Sequence, residues 1–194
     1  MVNKTIIIYH GTSAKAAKKI LEEGFKTDLN YNWGIRSKKG FVYFSTAYAP
    51  FYAMNVTDDD ELAIVKVEIE TRDLYPEDDF IMYALGKPKY TQEELDKIKL
   101  RDYKRYWKVS LEYMGNAAAR PWAPKVLGIK TFSRKGLIMK CDPVISPTNF
   151  KIMGNYYEKM TEHLFETGDI NTFPGLTEFL VGKEGIKVLQ NATN

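Results

Sequence analysis

The segment from Glu61 to Glu70 most narrows the folds open to this chain. Leu62, Ile64, Val65, Val67 and Ile69 are set against Lys66, Glu68 and Glu70, which is the pattern of a strand with period two. A strand of this length needs neighbours, and the chain offers several. Thr5 to Tyr9 is a β-branched run that reads as a first strand. Thr12 or Ser13 can cap the helix that follows, whose apolar positions Ala16, Ala17, Ile20 and Leu21 make one face. Gly24 ends that helix and Phe25 begins the return. Residues 26–40 read as a polar loop, Phe41 to Ser45 as a short aromatic strand, and Ala47 to Met54 as a short helix.

Later in the chain, Leu74 to Phe80 is a turn-rich connection. Thr91 with Glu94 forms a capping box that predicts a helix running to about Tyr106. Val109 to Tyr113, Lys125 to Phe132 and Leu137 to Cys141 are further strand candidates. The tail reads as helical: Met153, Tyr156, Tyr157, Met160 and Leu164 share a face, and a last helix spans roughly Gly175 to Leu189. A boundary near residue 142 divides a mixed body, 1–141, from a helical C-terminal extension, 142–194, packed on it.

Composition removes several function classes. The 28 Lys and Arg nearly balance the 25 Asp and Glu, so no global field favours nucleic acid or a membrane surface. The basic stretch Lys97, Lys99, Arg101, Lys104, Arg105, Lys108, with Tyr103, Tyr106 and Trp107 between, reads first as a buried aromatic stripe with a charged outer face, ahead of a surface for single strands. One cysteine, Cys141, forbids an internal disulfide, and with only two His it argues against a structural zinc site. No stretch approaches the roughly 20 apolar residues of a membrane helix, and the expectation is a cytoplasmic protein with no membrane partner. Asp58-Asp59-Asp60 and Glu77-Asp78-Asp79 read as solvated acidic turns, the latter ahead of a site for a divalent ion or a basic substrate.

The chemistry points to two segments. Tyr9-His10-Gly11-Thr12 closes a strand and opens a helix, a place where main-chain N–H groups and a side chain can meet a polar ligand. Gly11 would let that ligand approach the backbone. By itself His10 reads more readily as a cap or a packed strand end. Further along comes Gly40-Phe41-Val42-Tyr43-Phe44-Ser45-Thr46, followed by Ala49, Tyr52 and Ala53. Together with His10-Gly11-Thr12 and Ile20-Leu-Glu-Glu-Gly24-Phe25, this resembles the ADP-ribosyltransferase superfamily, in its diphtheria-toxin and poly-ADP-ribose-polymerase branch. The resemblance covers about a third of the chain, and the Gly40-to-Tyr43 spacing is one residue longer than the branch pattern.

The resemblance implies an α+β fold: a pair of small packed β-sheets with flanking helices and a helical C-terminal tail. It implies NAD as co-substrate, contacted by His10, Gly11, Thr12, Tyr43, Ser45 and Tyr52. In that scheme His10 bonds the adenosine ribose, and the Gly11 main chain and Ser45 bond the nicotinamide carboxamide. Tyr43 stacks on the nicotinamide ring. The bond from ribose C1′ to nicotinamide then breaks through an oxocarbenium-like state. The family's third element is a Glu that steadies this positive charge, and here the chain departs from the pattern. Glu112 has the right chemistry and Asn116 the better spacing to Pro124, while the rival segment Gly136 to Cys141 contains no Glu.

The expected function is transfer of a single ADP-ribose to a macromolecular acceptor, a protein ahead of a nucleic acid, with release of nicotinamide. The alternatives are an RNA 2′-phosphotransferase-like enzyme, for which Arg36 and Arg120 are the placed basic residues, and a non-catalytic module that binds NAD or ADP-ribose.

Overall fold

The computed structural model describes residues 4–27, 40–56, 59–77, 115–134 and 147–174, together with Glu93, Lys97, Arg101, Trp107 and Ser110. Among these residues the strands are β1 (Thr5–Ser13), β2 (Val42–Ser45), β3 (Glu61–Glu70), β4 (Leu74–Pro76), β5 (Asn116–Ala119) and β6 (Lys125–Ser133). The helices are α1 (Ala14–Glu23), α2 (Ala49–Val56) and α3 (Pro147–Thr167). The protein is thus mixed α/β, with every strand pairing antiparallel.

The strands form one hydrogen-bonded sheet in the order β4-β5-β2-β1-β3-β6. The expected pair of sheets is corrected in this respect, although the two halves are joined by very little. β1 and β3 pair along their whole lengths, from Thr5↔Glu70 to Ser13↔Leu62, whereas β1 and β2 share the single position Tyr9↔Ser45. The halves also cannot be coplanar. In a flat sheet β3 and β4 would stand four strand spacings apart, about 19 Å. The chain passes from Glu70 to Leu74 in four steps, a reach of at most about 14 Å. The sheet therefore folds about the Tyr9–Ser45 junction, and the halves close over a common core of Ile8, Val42, Phe44, Val65, Val67, Ile69, Leu74, Ala117 and Ala119.

α1 starts where the sequence allows it to. Of the two candidate caps it is Ser13 that acts, its Oγ accepting from the Ala16 N–H at 3.1 Å. The Gly24 N–H closes the other end on the Ile20 carbonyl. The buried face is narrower than the apolar pattern suggested: Ala17 is buried but Leu21 is 61% exposed. With about 100° per residue, Ala17 and Ile20 lie at the centre of the apolar arc and Ala16 and Leu21 at its edges.

The opposite face of the sheet carries a second core. There Ala49, Ala53 and Met54 of α2 meet Leu62, Ile64 and Phe132 of the sheet and Tyr157, Met160 and Leu164 of α3. α3 is thus built into the body, on three of the positions that the tail periodicity selected.

One of the later strand expectations holds and one changes. β6 lies where Lys125 to Phe132 was read, but the candidate Val109–Tyr113 does not hold at Ser110, whose backbone is helical, and the strand there is β5 instead. Asn-Ala-Ala-Ala carries none of the β-branched or aromatic residues that signal a strand. It is extended because β2 and β4 flank it, and small side chains suit a position buried on both faces. The expected helix after Thr91 agrees with the helical backbone at Glu93, Lys97 and Arg101, where Lys97 pairs with Glu93 at 2.7 Å on the exposed side. The expected elements at Leu137–Cys141 and Gly175–Leu189, and the boundary near 142, lie outside the described residues.

α2 approaches β1 with no side chain between them. A Cβ on Gly11 would stand 1.9 Å from the Ala49 carbonyl oxygen and 2.7 Å from the Ala53 nitrogen. These are backbone atoms that cannot swing away, and Ala49 and Ala53 are themselves fully buried. Gly11→Ala is therefore expected to destabilise the fold by at least about 3 kcal/mol, the upper end for overpacking. Gly128→Ala, whose Cβ would meet nothing nearer than Phe165 at 4.0 Å, should stay within about 1 kcal/mol of the parent. Urea unfolding of the two variants measures the difference, and equal midpoints would refute the close approach.

Candidate functional site

The site is built where β1 and β2 part. Past the Tyr9↔Ser45 pair the two strands no longer exchange main-chain hydrogen bonds, and a side chain takes over. His10 Nδ1 lies 2.9 Å from the Tyr43 carbonyl oxygen. A carbonyl only accepts, so the Nδ1 proton is the donor, and a neutral imidazole then keeps its lone pair on Nε2. The ring is also held from the side. Phe25 meets it edge-on at 5.3 Å, Phe44 lies at 5.8 Å, and Phe25 and Phe44 are 5.4 Å from each other. Burial among these rings pulls the His10 pKa below the usual imidazole range, opposed in part by the bond to Tyr43. The site thus presents a neutral imidazole with one acceptor, suited to a hydroxyl donor.

On the other side of the strands a second group forms. Asn116 Nδ2 donates to the Tyr52 hydroxyl at 2.8 Å, joining β5 to α2. Asn116 is 1% exposed, and its Oδ1 is buried without a hydrogen-bonding partner among the described residues. Exchanging the two amide atoms would only make the NH2 the unmatched group. A buried polar atom left in this state costs about 1–3 kcal/mol. Tyr43 belongs to the same side, because it is two residues from Ser45 and strand side chains alternate. Its ring is only partly buried.

Ser45 serves the turn between β2 and α2. It is fully buried. Its hydroxyl donates to the Gly115 carbonyl at 3.0 Å and accepts from the Tyr48 and Ala47 N–H groups at 2.7 and 3.2 Å. One donor and two lone pairs are then spent within the protein. Ser45 turns the chain from β2 into α2 and ties that turn to β5. The Thr46 N–H also reaches the Gly115 carbonyl, and Gly115 has φ 68, where a Cβ would lie 2.5 Å from Thr46 Oγ1. Gly11 is held by packing. The space above its α-carbon is filled by α2 rather than left for a ligand, although its main chain lies in β1 directly after His10. Thr12 is buried beside it.

The structure therefore joins His10 to Tyr43, and Asn116 to Tyr52 and to the level of Ser45. The two groups lie on opposite sides of the strands, and what links them is the main chain of β2, through the Tyr43 carbonyl. Glu112 and Arg36 lie outside the described residues. Arg120 is occupied at the start of β2, with its guanidinium 4.2 Å from the Phe41 ring centre and Nη1 3.3 Å from the Gly40 carbonyl. His163 bonds Thr172 on α3.

Sequence reasoning missed one residue. Glu77, read as part of a solvated acidic turn, is 3% exposed, and its N–H donates to Ser110 Oγ at 2.7 Å. The signal available was its position directly after the strand residues Leu74–Pro76, but burial there depends on β5. Among the described residues no cluster of His, Cys, Asp and Glu is arranged to hold a metal ion, and no helix is long and apolar enough to cross a membrane.

No family model matches the chain, and no curated protein or solved structure shows significant similarity to it.

The state of His10 is directly measurable, since the chain has two histidines. Its imidazole is expected to titrate below about 6.5, the usual midpoint, in an NMR pH series assigned with His10→Gln. A folded pKa below the unfolded one means that the unfolded chain takes up the proton first. The contribution of His10 to stability is then complete above the unfolded value and lost as pH falls through the folded one. In urea the unfolding midpoint of the parent should drop more between pH 7 and pH 5 than that of His10→Gln. A His10 midpoint above the usual value would refute the desolvated neutral ring.

Proposed function

We propose that this chain binds NAD at the divergence of β1 and β2 and cleaves the bond between its ribose C1′ and nicotinamide, passing one ADP-ribose to a macromolecular acceptor. The observation that carries the reading is the 2.9 Å contact of His10 Nδ1 with the Tyr43 carbonyl. It unites two motifs that lie far apart in the sequence. The neutral His10 offers Nε2 to a ribose hydroxyl. Tyr43, on the open stretch of β2, offers a ring to the cationic nicotinamide. Asn116 stands at the first position of β5, beside β2, with an unmatched amide atom. The chemistry asked of such a site is to hold the dinucleotide bent and to favour the positive charge that develops on the ribose as nicotinamide departs with the bonding electron pair.

One observation favours a second reading, a module that binds NAD or ADP-ribose without turnover: the residue at the head of β5 is an amide, Asn116, and not a carboxylate. The phosphotransferase-like reading has less support, because Arg120 is already stacked on Phe41.

Calorimetric titration with NAD, followed by chromatographic assay of free nicotinamide, separates these readings. NAD is expected to bind, and nicotinamide to appear when a cell extract supplies an acceptor. Tyr43→Ala should weaken binding by about 1 kcal/mol or more, the scale of an aromatic stack, and Tyr43→Phe should be nearly silent. Equal losses in both would assign the phenolic hydroxyl. Binding without release under any condition would favour the module, and absence of binding would refute both.

A further inference from the structure

The face of β2 and β5 that carries Tyr43 also carries a polar atom with nothing bonded to it. Tyr43 pairs with Ala118, and Ser45 with Asn116, so these side chains project to one face and Asn116 stands diagonal to Tyr43. Diagonal neighbours in an antiparallel pair lie about 7–8 Å apart, within reach of a ring and of a group attached to it. The other two corners, Ser45 and Ala118, are small and buried.

The two polar side chains of this square are in different states. The Ser45 hydroxyl is bonded to Gly115, Ala47 and Tyr48, which fills its one donor and two lone pairs. Asn116 donates through Nδ2 to the Tyr52 hydroxyl at 2.8 Å, and its Oδ1 has no partner. That atom is also screened from water, so solvent does not satisfy it. What Oδ1 lacks is a donor, and a buried acceptor without one is costly to keep.

Resting on the NAD reading above, we propose that Asn116 reads the carboxamide of the nicotinamide, its Oδ1 accepting from the carboxamide NH2 when the ring lies on Tyr43. A carboxamide is planar and carries a donor at one end and an acceptor at the other. Joined to the ring by a single bond, it extends from the Tyr43 stack toward the diagonal position. Asn116 is then the residue that selects among pyridine dinucleotides by the group the pyridine carries. An amide does so without the cost of burying a charge.

Calorimetric titration of the full chain with a set of dinucleotides tests this. NAD and its thionicotinamide analogue both keep the NH2 group. In the acetylpyridine analogue a methyl replaces it, and in the nicotinic acid analogue a carboxylate oxygen does. The parent should bind NAD and the thio analogue within about three-fold of each other. It should bind the acetylpyridine analogue at least about ten-fold more weakly, since the buried acceptor stays unmatched. The nicotinic acid analogue, which sets an acceptor against an acceptor, should bind more weakly still. Asn116→Leu removes the acceptor, and NAD and the acetylpyridine analogue should then bind within about two-fold of each other. Asn116→Asp keeps an acceptor in place and should retain a preference for NAD of at least about five-fold, which a merely structural role of Asn116 would not give. Equal binding of NAD and the acetylpyridine analogue by the parent overturns the proposal and leaves the NAD site standing. A preference that survives Asn116→Leu unchanged does the same. Should Asn116→Leu fail to fold, the parent and Asn116→Asp decide, and loss of the preference in either overturns the proposal. A parent that does not bind NAD overturns the underlying reading itself.

Discussion

β1 and β2 are neighbours that stop pairing, and most of what distinguishes this fold follows from where they stop. At Tyr9 and Ser45 they still share a register. One residue later the His10 ring, not a main-chain N–H, takes the Tyr43 carbonyl. A carbonyl at the edge of a parting strand must find some donor, and using a side chain satisfies it while letting the strands separate. The separation in turn lets β4, β5 and β2 fold toward β1, β3 and β6 and enclose Phe44 and Val42 with Val65, Val67 and Ile69. It also needs support from the other face. α2 lies close enough to β1 that only glycine fits at position 11, and only small residues face it at 49 and 53. The alanines in the second motif are thus explained by packing against the glycine in the first.

The polar groups behind the divergence form a connected set. Ser45, Gly115, Asn116, Ser110 and Glu77 are linked by short hydrogen bonds that run from β2 through β5 to the end of β4. Most of these bonds satisfy backbone groups at turns. Their combined effect is to fix the head of β5 so that Asn116 reaches Tyr52. α3 stands apart from this chemistry. It buries Tyr157, Met160 and Leu164 on the outer core, and its Glu162 and Glu158, after burial itself, hold the Tyr9 phenol above its ordinary pKa.

Parts of this organisation are legible in single segments. The period of Glu61–Glu70, the β-branched Thr5–Tyr9, the cap and stop of α1 and the run from Lys125 are local patterns, and local patterns report local backbone. His10 and Tyr43 could be picked out as well, and the structure brings the His10 ring to the Tyr43 carbonyl. Other readings went astray where a neighbour outweighed the local signal. The Ser45 hydroxyl, which no strand pattern marks as a turn group, is bonded within the turn it makes. Asn116–Ala119 lacked strand-forming residues and is a strand because it lies between β2 and β4. Glu77 read as a surface acid.

What the sequence determined alone is most of the elements and the chemical types they carry: a histidine on β1 and an aromatic on β2. Those follow from residue identity and periodicity, which need no partner. Only the tertiary structure decided which of them meet, which glycine is demanded by a helix rather than a ligand, and which carboxylate leaves the solvent. Each of these depends on register between segments remote in sequence. Shifting β4 against β5 by one residue would turn Leu74 out of the core, and no pattern within either strand records that register.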